Sequence, residues 1–174
     1  MIACGTFDEN DRLELIEGAL VAKITRRPPH STGSVLCAEA IRGLPPAGWH
    51  VRIEKPVRIP ARDSMPEPDV SVVRSEIRGY QNREPGPEDV ALVVEISYAA
   101  VRADRLCRDV PRGGILIYWL VDIPRRLLEI HTAAAAAPII LAETEEAELV
   151  IARPIIGNIR VGDLLPRNQA TPKH

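Results

Sequence analysis

The sequence predicts an α/β domain: a mixed sheet flanked by helices, with an N-terminal β-hairpin and a β-rich C-terminal extension. Short segments that alternate apolar and polar residues, or run apolar throughout, have the patterning of half-buried and fully buried strands. Between them lie two stretches with apolar residues at helical spacing, as an α/β order requires. The 16 prolines and an aromatic content of 3% point the same way, to many chain reversals and to a core of Leu, Ile, Val and Ala.

Residues 13–24, LELIEGALVAKI, place two apolar runs around Glu17-Gly18, a dipeptide suited to a tight turn, and predict the hairpin. Residues 31–44 set Val35, Leu36, Ala38, Ile41 and Leu44 on one helical face, and Gly43 with Pro45-Pro46 ends the helix. Residues 49–59 alternate, with Trp49, Val51 and Ile53 opposite His50, Arg52 and Glu54, and Pro56 marks an edge or a bulge near the end. Residues 69–73 form a short apolar strand after Pro66-Glu67-Pro68. Residues 91–96 are a continuous valine-rich run of the kind found in central strands. A weak helix is expected over 101–112, curtailed by Pro111. Residues 115–121, ILIYWLV, and 125–131 make a second hairpin around 122–124, with Tyr118-Trp119 packed in the core. The alanine tract 133–137 fits a loop and a helix equally well. Residues 139–141, 149–151 and 155–161 supply the last strands.

At 174 residues the chain has the size of one domain, so a single unit over 1–170 with a frayed tail at 171–174 is the expectation. The 45% hydrophobic and 26% charged contents are those of a chain that folds. A formal net charge of -2 gives no support to a uniformly basic nucleic-acid-binding surface, although it leaves room for a local basic cleft. Cys4, Cys37 and Cys107 are widely spaced, lack zinc-site patterning and are expected to be buried thiols. The N-terminal residues lack a signal-peptide pattern and no apolar run is long enough to span a bilayer, so a cytoplasmic protein with no membrane partner is expected.

Two acids stand where carboxylates are physically costly. Asp69 opens an apolar strand, and Glu95 lies within Leu92-Val93-Val94-Glu95-Ile96. An ionised carboxylate buried there needs a cation, and two on neighbouring strands can share one divalent ion. Spacing alone favours the plainer reading, in which Glu95 faces solvent or pairs with an arginine.

The ordered fragments DRLELIEGALV, EKPVRI, MPEPDVSVV, LVVEIS, Asp104-Arg105 and GGILIYWLVDI resemble a restriction-endonuclease branch of the PD-(D/E)XK nuclease superfamily, the Uma-two family, from about Asp11 to Leu165. The resemblance implies a restriction-endonuclease-like core that hydrolyses phosphodiester bonds with Mg2+ (or Mn2+), a nucleic-acid partner, DNA in the first instance, and a homodimer. It implies Asp69 and Glu95 as metal ligands and Glu14 as the acid that orients the metal water or completes the ligand shell. The superfamily lysine is absent: Ser97 stands two residues beyond Glu95, and the alternative position four residues after Asp104 is Arg108. Arginine can stabilise transition-state charge but stays protonated, so it cannot share a lysine's titratable chemistry. Lys23 is a geometrically possible substitute. A noncatalytic homologue that binds nucleic acid or protein is the alternative. His30, between Pro28-Pro29 and the helix, is read as packing or capping at the helix start.

Overall fold

The computed structural model describes residues 13–22, 28–98, 114–152 and 154–167. Its elements are β1 (Leu13–Ile16), β2 (Ala19–Ala22), α1 (Pro28–Arg42), β3 (Trp49–Ile53), β4 (Val70–Arg74), β5 (Val90–Ser97), β6 (Ile117–Asp122), β7 (Leu127–Thr132), β8 (Ile139–Ala142), β9 (Glu146–Val150) and β10 (Ile155–Arg160). Strands β3 to β8 lie side by side in chain order as one six-stranded sheet, while β1–β2 and β9–β10 are separate hairpins. Every neighbouring pair in the large sheet is antiparallel except β5–β6, which is parallel, so the sheet is mixed. The stretch expected as a helix over 101–112 lies outside the described residues, and so do Arg108, Lys23, Cys4 and Cys107.

The β1–β2 turn takes positive φ at both Glu17 (49°) and Gly18 (76°). That is the twist a two-residue hairpin loop needs, and glycine supplies it at the second position without a Cβ clash. Helix α1 begins three residues ahead of the expected start, because proline is favoured in a helix's first turn, where its missing N–H costs nothing. Its buried face is His30, Gly33, Ser34, Cys37, Ala38 and Ile41. Val35, expected inside, is 56% exposed. The helix lies on the sheet through its small side chains, which lets the two backbones come close.

Strand β3 stops at Ile53 rather than Ile59. Glu54 turns to φ 51°, and the chain enters an arm that doubles back on itself. In this arm Glu54 N–H donates to Asp69 O, Val57 N–H to Pro66 O, and Ile59 pairs with Ser64. The bend is the 3-10 turn Pro60–Arg62, capped by Asp63 in the left-handed region. The β1–β2 hairpin docks on this arm, with Met65 N–H donating to Leu15 O and Glu17 N–H to Ser64 Oγ. Residues 133–137 settle as turns and a bend. The alanine tract is too short to hold a helix beside Pro138.

Alternation along the strands sends Val70, Val72, Leu92, Val94, Ile96, Trp119 and Val121 into one core with α1 and the C-terminal hairpin. Val73, Val93, Tyr118 and Leu120 form a smaller core on the other face with Val57 and Ile59 of the arm. Among the described residues no helix is long and apolar enough to cross a membrane.

Candidate functional site

The ladder between β4 and β5 decides where the two conspicuous acids meet. Val70 pairs with Val94 in antiparallel register, with a bulge at the other end, between Val72 and Val73. Asp69 stands one residue ahead of Val70 and Glu95 one residue beyond Val94, so the antiparallel register brings the two acids together at this end of the ladder. Their side chains come within hydrogen-bonding reach of each other. Both are nearly sealed from solvent, Asp69 at 2% and Glu95 at 7% exposure.

Asp69 is held from three directions. Its carbonyl accepts the Glu54 N–H at 3.2 Å, its Oδ2 accepts the Ile96 N–H at 2.8 Å, and the same Oδ2 lies 3.1 Å from His30 Nε2. The Ile96 bond has a local cause: β4 has ended, and a buried amide must find another acceptor. Burial works to raise the Asp69 carboxyl. The bond and charge of the His30 ring, the Ile96 amide and the contact with Glu95 more than offset it and hold the group below the ordinary carboxylate range. These contacts favour the anionic form of Asp69 inside the protein. Cys37, on the inner face of α1, feels that charge, and burial first, then Asp69, pushes its thiol up to about 12. It is a structural thiol whose Sγ–H donates to Leu164 O at 3.7 Å, with no thiolate available for chemistry.

Glu14 on β1 is 93% buried rather than a surface hairpin acid. Leu15, next to it, bridges to Met65, four residues ahead of Asp69, so the hairpin is anchored on the segment that delivers Asp69 to the sheet. Ser97 is buried on β5 two residues beyond Glu95, hence on the same face, opposite Asp122 of β6. His30 was read from the sequence as packing or capping; the structure puts its ring on Asp69 instead. The contact joins a helix start to a strand start, and no local pattern encodes it.

Two adjacent carboxylates suit a particular kind of ion. Among the described residues no group of three or more His, Cys, Asp or Glu side chains is placed to hold a metal. Magnesium needs no such cage: it keeps several waters and takes one or two protein carboxylates plus substrate phosphate oxygens. Two acids in contact within an apolar sheet hold a proton or a cation between them, and carboxylate oxygens are the donors a hard divalent ion takes.

The Uma2 family model, described as "Putative restriction endonuclease", matches residues 2–161. The chain belongs to this family. Solved structures similar to it include the crystal structure of a putative nuclease belonging to DUF820 from Anabaena variabilis ATCC 29413. That protein is 18% identical, with a TM-score of 0.69 over 93% of this chain and 94% of that one. At this identity the likeness establishes a common fold, a restriction-endonuclease-like one. No curated protein matches the chain. The family resemblance seen in PEPDVSVV, VVEIS and YWLVD thus extends over nearly the whole chain.

Proposed function

We propose that the protein is a nuclease that hydrolyses phosphodiester bonds of nucleic acid, DNA in the first instance, with Mg2+ or Mn2+ held by Asp69 and Glu95. One observation carries the reading: two buried carboxylates, distant in sequence, lie side by side where β4 and β5 bring them together. A divalent ion, when bound, supplies a lowered pKa for an attacking water and charge stabilisation for the phosphate. The protein's share is to keep Asp69 ionised, to hold the pair on a rigid sheet and to exclude bulk water around it. Glu14, buried on β1, would orient the attacking water, and Arg108 would stabilise the charge that develops on phosphate.

The second reading, a homologue that binds nucleic acid or protein without cutting, is favoured by Ser97, which puts a small hydroxyl where the superfamily motif carries lysine. One assay separates the two. Plasmid DNA, single-stranded DNA and RNA are incubated with Mg2+ or Mn2+ and either wild type or Asp69→Asn, and binding is followed in parallel by gel shift. We expect wild-type cleavage that stops with EDTA and falls at least about 100-fold in Asp69→Asn, because the substitution removes a ligand charge. Equal inertness of the two proteins with binding retained would establish the second reading.

A further inference from the structure

His30 occupies the first turn of α1 and is 8% exposed. Its Nε2 sits 3.1 Å from Oδ2 of Asp69. A carboxylate oxygen only accepts, so Nε2 carries the proton. The other ring nitrogen, Nδ1, is buried with no hydrogen-bond partner among the described residues. A side chain chosen for packing alone would not leave a buried polar atom unmet, since such atoms are nearly always paired. The contact with Asp69 is what the imidazole provides that an apolar ring of the same size would not.

Both donors, the Ile96 amide and the His30 ring, converge on the same oxygen. Two hydrogen bonds to Oδ2 fix the plane of the carboxylate and thereby the direction in which Oδ1 points. We propose that His30 is a positioning residue: its Nε2–H, together with the Ile96 amide, locks Oδ2 of Asp69 so that the carboxylate presents its other oxygen to the divalent cation shared with Glu95. The proposal rests on the metal-binding reading above. His30 is not itself a ligand in this scheme, because Nε2 is engaged by Asp69 and a hard ion prefers oxygen.

The test is Mn2+ affinity of the full chain without nucleic acid, measured by calorimetry and by the electron paramagnetic resonance signal of free Mn2+. His30→Phe keeps a ring and removes the donor, whereas His30→Gln brings an amide N–H to the place of Nε2. Far-UV circular dichroism checks that each variant folds. We expect Phe to weaken Mn2+ binding by about 10–100-fold, as removal of an outer-shell partner typically does, and Gln to bind much more nearly like wild type. Phe binding as tightly as wild type, or Gln as weakly as Phe, overturns the role of His30 while leaving the metal site standing. Failure of wild type to take up Mn2+ removes the metal reading itself and is seen without any variant. Should His30→Phe not fold, a long-range 1H–15N spectrum of wild type decides: a proton on Nε2 is expected, and a neutral ring with the proton on Nδ1 overturns the proposal.

Discussion

Asp89 closes the 3-10 turn Pro87–Asp89 ahead of β5, and its Oδ2 accepts hydrogen bonds from Arg83 at 2.6 Å and from the Gly86 amide at 3.2 Å. Arg83 first, against an opposing contribution from burial, and then the Gly86 amide hold its carboxyl below the ordinary range. A carboxyl depressed on folding stabilises the native state fully above its unfolded pKa, and the contribution disappears as pH falls through the lower, folded value. Arg83 is more than half exposed, so solvent screening keeps the effect small. Asp89→Asn is accordingly expected to lower Tm by about 1–3 °C at pH 7, with the gap to wild type closing below about pH 4. Thermal scans from pH 7 to pH 2.5 read this directly, and a gap independent of pH would show the ion pair to be idle. At this scale the sequence was legible wherever a residue contradicted its surroundings. Asp69 and Glu95 showed themselves as charges among valines, whereas nothing near His30 hinted at a carboxylate far along the chain. Glu14 was marked only by the family resemblance, and its burial accompanies a docking contact that the folded arm creates.

Helix α1 depends on one residue with no side chain. A Cβ at Gly33 would stand 3.1 Å from Ile96 Cγ2 and 3.4 Å from Ile123 Cδ1. Ile96 adjoins Glu95, so the distance between this helix and β5 is set within a turn of His30 and within one residue of the acid pair. Gly33→Val should overpack that contact and cost about 1–3 kcal/mol, seen as a drop of several degrees in Tm by calorimetry. An unchanged Tm would mean that the helix can back away from the sheet freely. The closeness also explains why the helical face expected from large residues was turned: a helix this near a sheet buries Gly, Ser, Cys and Ala and leaves Val35 outside. Hairpins were readable because Glu17-Gly18 and 122–124 announce turns locally. The end of β3 was not, because Glu54 leaves the strand to bond with Asp69, a long-range event that overrides an alternation continuing in the sequence.

At the scale of the molecule, one core includes Cys37 and Ile41 of α1, Val94 and Trp119 of the sheet, Leu128 of β7, and Leu149, Ile159 and Leu164 near the C-terminus. Elements sharing a core unfold together, so residues 1–170 are expected to melt as one unit. Circular dichroism and tryptophan fluorescence should report coincident denaturant transitions, and Leu128→Ala should shift both by about 2–5 kcal/mol. Separated transitions would divide the chain into independent parts. The sequential order of the six-stranded sheet agrees with the run of consecutive strand patterns, but the parallel β5–β6 pairing and the detachment of β9–β10 into their own hairpin left no mark in any single segment. The register of β4 against β5 has a further consequence. Because the bulge at Val72 and Val73 lies toward Arg74, that end of the strand can absorb an inserted or deleted residue. The same change on the Asp69 side would rotate the carboxylate to the opposite surface and silence the site in a protein that still folds, with its oily interior all but unaltered.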